Sequence, residues 1–158
     1  MHEFTTSFQA MTSDDLDFLR RVYASTRSEE MAQSGWGSLQ IQDFLDSQFD
    51  YQHRYYQSEF PDASYDLILI DGTAAGRLYL DRRKSEHRII DIALLPDYRG
   101  KGIGTRLLKQ VLDEANRAGK SVGIHVERNN PALHLYERLG FLKTGESGLY
   151  YLMEWNKA

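Results

Sequence analysis

The chain has no cysteine among its 158 residues, which removes a disulfide framework and a thiolate metal site from the list of things it could be built around. No apolar run approaches the length of about 20 residues that a membrane-spanning helix needs, so a membrane partner is not expected. Positive charge is not in excess either. Lys and Arg number 19 against 23 Asp and Glu, a formal net charge of −4, which argues against a nucleic-acid binder and mildly favours cationic small molecules or lysine-bearing partners. The five histidines, His2, His53, His87, His125 and His134, show no ligand spacing, and no metal is expected. The opening residues Met1-His2-Glu3-Phe4 lack a basic region followed by an apolar core, so no export signal is visible and a cytoplasmic location is expected. Internal repeats, low-complexity tracts and linkers are also missing. The length fits one domain, 1–158, with a core large enough to stand without staples.

What is present is organised around Arg88 to Leu112. An apolar strand, Arg88 to Leu95, runs into Pro96-Asp97-Tyr98-Arg99-Gly100-Lys101-Gly102-Ile103-Gly104-Thr105, and then into a helix with Ile103, Leu107, Leu108, Val111 and Leu112 at helical spacing. A strand feeding a helix through a glycine loop aims several free N–H groups and the positive end of the helix dipole at one spot, where a phosphate fits. The nucleotide-triphosphate loop fails on spacing, because Gly104 is followed by Thr105 and Arg106 rather than by Lys and a hydroxyl residue. The dinucleotide fingerprint fails because position 105, where Gly or Ala is needed, is Thr.

The rest of the chain reads as alternating elements. Phe4 to Gln9 is a strand, Thr12 to Asp15 caps a helix carrying Leu16, Leu19, Val22 and Tyr23, and Arg27 to Gly37 is a loop or short helical turn. Leu39 to about Ser58 is a second helix ended by Pro61. Two strands, Tyr65 to Ile70 and Ala74 to Leu80, flank the hairpin signal Asp71-Gly72. Asp81 to Glu86 connects to Arg88–Leu94, which completes an antiparallel meander. After the central helix, Ser121 to Val126 should lie parallel to Ile89–Leu94. A short helix then runs from Asn129-Asn130-Pro131 through Leu139, and Tyr150 to Trp155 is a closing strand.

Arg99, Gly102 and Gly104 occupy the fixed places of an Arg/Gln-x-x-Gly-x-Gly/Ala loop. Asn129, Ala132, Tyr136, Gly140 and Phe141 follow in the order Asn-x-x-Ala, Tyr, Gly-Phe. Together these resemble the coenzyme A loop and the closing motif of the GCN5-related N-acetyltransferase (GNAT) superfamily, over about residues 64–155. The resemblance implies an α/β (α+β) fold: a mixed, mostly antiparallel sheet with a splayed parallel strand pair and helices on both faces. It also implies a variable acceptor-side part at 1–63 and a coenzyme A-binding core at 64–155. The implied activity is direct transfer of the acetyl group of acetyl-CoA, without a metal, to a primary amine of a small molecule or peptide in a ternary complex; a non-catalytic acyl-CoA sensor is the alternative. Family members often form homodimers.

Residue roles follow by the same analogy. Backbone groups of Ile92, Ala93 and Leu94 bond the pantetheine arm, with the N–H of Leu94 toward the thioester oxygen. The amides of Arg99, Gly100, Lys101, Gly102, Ile103, Gly104 and Thr105 hold the pyrophosphate, and the Arg99 side chain either adds charge or is solvated. Tyr136 matches the tyrosine assigned as general acid, unless it is a packed helix residue. Asn129 is a coenzyme contact or a helix cap. A carboxylate common in the family falls here at Arg88, which is a departure. By strand alternation Glu86 shares a face with Arg88 and is either a base acting through water or a loop carboxylate, whereas Asp91 points the other way and calls for a partner such as Arg77. The acceptor pocket is sought among Tyr23, Arg27, Glu29, Glu30, Trp36, Gln48 and Tyr79, with Arg27 or Arg88 suited to a carboxylate-bearing acceptor.

Overall fold

The structure is a computed structural model that describes residues 3–156; His2 and the first part of the opening tetrapeptide lie outside the described residues. Seven strands form one sheet in the order β1-β2-β3-β4-β5-β7-β6. They are β1 (Thr6–Ala10), β2 (Ser64–Ile70), β3 (Thr73–Arg82), β4 (Glu86–Leu94), β5 (Ser121–Glu127), β6 (Leu142–Ser147) and β7 (Tyr150–Trp155). The helices are α1 (Leu16–Thr26), α2 (Ser28–Ala32), α3 (Ser38–Glu59), α4 (Ile103–Ala118) and α5 (Leu133–Arg138). The mixed sheet with one parallel pair is the expected fold class. The chain divides into two compact units, one made of the residues up to Leu78 with Ile92–Arg99, the other of Tyr79–Asp91 with the residues from Gly100 on.

In the first unit, Thr12 accepts from the Asp14 N–H while Asp15 reaches back to the Thr12 N–H, a reciprocal cap that starts the turn into α1. Leu19 and Tyr23 of α1, Met31 of α2, Leu45 and Phe49 of α3 and Leu67 of β2 form one buried cluster. Arg20 adds an ion pair from α1 to Asp50 of α3 at 3.0 Å. The Asp71-Gly72 hairpin holds both central residues at positive φ, +50° and +82°, the type I′ arrangement whose twist matches the flanking strands. Arg27–Gly37 contains α2, so the helical-turn reading applies to Ser28–Ala32.

In the second unit, α4 is amphipathic. Ile103, Leu107, Leu108, Val111, Leu112 and Ala115 are buried, at about 1.5–3 kcal/mol for each large side chain taken out of water. Gly119 closes the helix at φ +71°, its N–H donating to the Ala115 and Asn116 carbonyls. Buried His87 meets the Glu114 carboxylate of α4 through Nε2, and Arg82 grips the same carboxylate through two nitrogens, at 2.9 and 3.1 Å. The connection before β4 is shorter than expected. Strand pairing carries β3 to Arg82 and begins β4 at Glu86, because the Arg83 N–H donates to the Glu86 carbonyl at 2.8 Å.

β4 and β5 are parallel, as expected, and the ladder runs from Glu86↔Ser121 to Ile89↔Ile124, so the first half of β4 carries it. β5 meanwhile stays paired with β7 as far as Glu127↔Tyr150. Two further corrections concern the last third of the chain. The short helix begins at Leu133, since the Asn129–Ala132 stretch forms a turn in which the Asn130 side chain accepts from the Ala132 N–H at 2.8 Å. Leu142–Ser147, which the apolar pattern passes over, is a strand; it lies at the edge of the sheet with mostly exposed side chains, held by β7.

Candidate active site

Gly102 stands at the N-cap of α4 with φ +80°, and Gly100 lies at +71°, backbone that any side chain would strain. The Arg106 N–H already donates to the Gly102 carbonyl at 3.1 Å. Ahead of it, the N–H groups of Gly100, Lys101, Gly102, Ile103, Gly104 and Thr105 find no acceptor among the described residues. These are the unsatisfied donors of a helix N-terminus, extended by a loop that bends back over them, and they suit a diphosphate. A cavity of about 410 Å³ opens beside them, lined by Gly102, Thr105, Arg106, Lys109, Gln110 and Asp113.

The Arg99 side chain is exposed and also engaged. Its Nε donates to the Leu94 carbonyl at 2.8 Å and its Nη2 to Ser25 Oγ at 3.1 Å, which ties the end of β4 to α1. In the same unit, the Leu95 N–H donates to the Ala75 carbonyl at 2.8 Å, and β3 approaches β4 so closely at Gly76 that a Cβ there would stand 2.1 Å from the Ala93 carbonyl oxygen. Motif reading passed over Gly76; its one signal is a glycine inside a strand pattern.

Tyr136 is 4% exposed and packs edge-on to Phe141 with ring centroids 5.6 Å apart. Burial, and then the charge of Asp91, push its hydroxyl up to about pKa 12, so the phenol holds its proton throughout the neutral range. The hydroxyl meets no hydrogen-bonding partner among the described residues. Tyr136 therefore is packed, as a helix residue would be, and yet carries a proton with no acceptor for it among the described residues. Asn129 is exposed; α5 has Ala132 at its N-cap, without a side-chain cap, and the side-chain bond of the preceding turn is made by Asn130.

The strand faces are resolved within the second unit. Glu86 lies directly over Gly123: a Cβ on Gly123 would be 2.5 Å from Glu86 Oε2. Its other carboxylate oxygen accepts from Arg83 at 3.4 Å. Arg88 is half-buried two residues further along the same face. His125 on β5, two residues past Gly123, feels Arg88 and Arg83; burial first, then those two charges, hold it below the ordinary histidine range. Sequence reading counted His125 among unpatterned histidines, because its neighbours come from other segments.

Among the residues sought for the acceptor, Arg27, Tyr23 and Glu30 form one group. Arg27 Nε donates to Glu30 at 2.5 Å and its Nη1 to the Tyr23 hydroxyl at 2.7 Å, and the Glu30 carboxyl is held below its ordinary value by that pairing. Trp36 leans on Phe44 with centroids 5.3 Å apart and is 41% exposed. Glu29 is exposed, Gln48 half-buried and Tyr79 fully buried. Arg77, considered beside Asp91, donates to Gln52 Oε1 at 3.1 Å. Among the described residues, no group of three or more His, Cys, Asp or Glu could hold a metal, and no helix is long and apolar enough to cross a membrane.

A mixed sheet with one short parallel ladder and a glycine loop of unbonded amides at a helix start belong to the acyltransferase class of α/β folds. Residues 23–141 match the acetyltransferase (GNAT) family, and the chain belongs to it. It is similar to the L-amino acid N-acyltransferase MnaT of Escherichia coli (strain K12), with 44% identity over 54 residues, 32% of this chain and 31% of that protein. N-alpha-acetyltransferase 30 of Schizosaccharomyces pombe is 31% identical over 111 residues, covering 65% of this chain and 72% of the relative. Among solved structures, the PaiA N-acetyltransferase of Thermoplasma acidophilum in complex with coenzyme A superposes with a TM-score of 0.68 at 19% identity, covering 96% of this chain and 99% of that one; at that identity the likeness speaks for the fold alone.

Proposed function

We propose that the chain is an N-acetyltransferase that moves the acetyl group of acetyl-CoA directly to a primary amine of a small molecule or peptide. The observation that carries this reading is the set of six N–H groups from Gly100 to Thr105 without a protein acceptor at the start of α4. A pyrophosphate satisfies several of them at once and meets the positive end of the helix dipole. The pantetheine roles of Ile92, Ala93 and Leu94, and a coenzyme contact by Asn129, rest on the family resemblance. Tyr136 is the general acid: its phenol donates the proton that the departing thiolate needs, and burial keeps that proton in place until then.

The acceptor side is read from chemistry. Arg27 with Glu30 offers both signs of charge beside the Tyr23 ring, which suits an amino group carried next to a carboxylate or peptide carbonyl; Trp36 and Arg88 are candidates by their chemistry alone. Two relatives carry such amines in their names, an L-amino acid N-acyltransferase and an N-alpha-acetyltransferase. Nothing favours the sensor reading over this one. The test is to incubate the protein with acetyl-CoA and a panel of L-amino acids, spermidine and peptides with free N-termini, following thiol release. Turnover on at least one amine, lost in Gly102→Glu, is expected. Coenzyme binding with no turnover on any of them would return the chain to the sensor class.

A further inference from the structure

We propose that His125 is the general base of the transfer, taking the proton of the acceptor ammonium where β4 and β5 cease to pair; the inference rests on the acetyltransferase reading above. The last parallel pair is Ile89↔Ile124, so His125 is the first residue of β5 beyond the ladder. Alternation sets it on the face of Gly123 and Glu127, opposite buried Ile124 and Val126. That face also carries Glu86, whose carboxylate lies over Gly123, and Arg88, whose charge His125 feels together with that of Arg83.

The charged groups facing His125 can be taken element by element. From β4 come Glu86 and Arg88, from the β3–β4 connection Arg83, from β5 itself Glu127, and from β7 Glu154, which stands opposite Gly123, while apolar Leu152 stands opposite His125. Arg83 and Arg88 are permanent cations and cannot accept a proton. Glu86 and Glu154 sit at the paired end of the ladder, and Glu86 is held by Arg83. Although His125 is exposed at the surface, partial desolvation and two guanidiniums hold it below the ordinary histidine range, and an imidazole so held can accept a proton at neutral pH without waiting for one to leave.

The step balances. The ammonium loses one proton to His125, and the freed lone pair forms the C–N bond to the thioester carbon. The C–S bond then breaks, the thiolate takes the proton of Tyr136, and the resulting phenolate removes the second proton from nitrogen. The His125 proton passes to water.

The test compares the parent with His125→Gln, an exposed position where glutamine keeps the hydrogen-bonding capacity and loses the base, and with Glu127→Gln as a neighbour on the same face. With the panel amine that turns over, His125→Gln should lower kcat by roughly 10²–10³-fold, leave acetyl-CoA affinity within about threefold, and abolish the acid limb of the kcat profile; in the parent that limb should lie below the ordinary histidine value of 6.5. Added imidazole should restore part of the rate to His125→Gly, which a purely structural role would not allow. Glu127→Gln should behave as the parent does. An imidazole NMR titration, with the His125 signal identified by its loss in the variant, reads the same group without any acceptor and should also fall below 6.5. A midpoint at or above that value, or a His125→Gln enzyme retaining a third of the parental kcat with its acid limb in place, overturns the proposal. Failure of every amine with the parent protein would instead overturn the acetyltransferase reading, and the NMR midpoint would still decide the state of His125.

Discussion

Gly100–Thr105 and the stretch from Tyr23 to Trp36 are both candidate binding regions, yet they are made of different materials. The loop recognises with main chain. Its donors exist because two glycines take left-handed backbone and a helix begins, and side-chain identity hardly matters there beyond smallness. The Tyr23–Trp36 stretch recognises with side chains that are already engaged, Arg27 with Glu30 and Tyr23, and Trp36 with Phe44. An unsatisfied backbone nest has one natural occupant class, an anion. Engaged side chains can be re-paired by several amines, so that on the proposed function the first region would fix the donor substrate and the second would leave the acceptor open.

Substitutions that separate the two regions can be ranked. The largest effect belongs to Gly102→Glu, which adds bulk at φ +80° and a negative charge to the anion site. Loss of even two charge-assisted bonds there is worth about 3 kcal/mol or more, so acetyl-CoA affinity measured by calorimetry should fall by at least about 100-fold. Binding as tight as the parent's would remove the loop from the coenzyme site. Tyr136→Phe should come next, with kcat reduced roughly 10²-fold at unchanged coenzyme affinity. Because the hydroxyl is pushed up to about 12, the parental rate should show no alkaline fall attributable to Tyr136 up to about pH 10, and a falling limb at pH 8 to 9 that disappears in Tyr136→Phe would contradict the assignment.

Gly76→Ala should act on stability. A methyl forced to 2.1 Å from the Ala93 oxygen must push β3 or β4 aside, at a cost of about 1–3 kcal/mol, and calorimetry should record a melting temperature lower by several degrees. Equal melting temperatures would mean that β4 yields freely at that point. Arg27→Ala should have the smallest effect of this set, a KM for the amine raised roughly 3–10-fold with kcat and coenzyme affinity kept, since Arg27 is engaged at the surface with Glu30 and holds no part of the loop. An unchanged KM for every panel amine would place acceptor recognition elsewhere.

Much of the fold was legible because it is locally encoded. The α4 stripe, the Asp71-Gly72 hairpin, the Thr12 cap and the glycine loop are each set by residues a few positions apart. Where sequence reading fell short, the cause was long-range. β6 has few apolar residues because only β7 covers it, so no period-2 signal exists to find. The β4–β5 register, which sequence leaves open, depends on two strands separated by a whole helix, and the placing of the ladder at Glu86–Ile89 leaves no mark on either strand alone. The same holds at the site. Gly102, Gly104 and Tyr136 announce themselves by spacing. His125 acquires its character from Arg88 and Arg83, and Gly76 from a carbonyl on the next strand, so neither could be singled out by reading along the chain.

One consequence follows from the glycine loop, whose N–H groups find no acceptor among the described residues. On the proposed function, a coenzyme held at the amides that begin α4 would share hydrogen bonds with the folded state, so that neither stability could be specified without the other. By linkage, a hundredfold excess of coenzyme over its dissociation constant would deepen the native well by about 2.7 kcal/mol, making the metabolic supply of acetyl-CoA a determinant of how long this protein survives as well as of how fast it works.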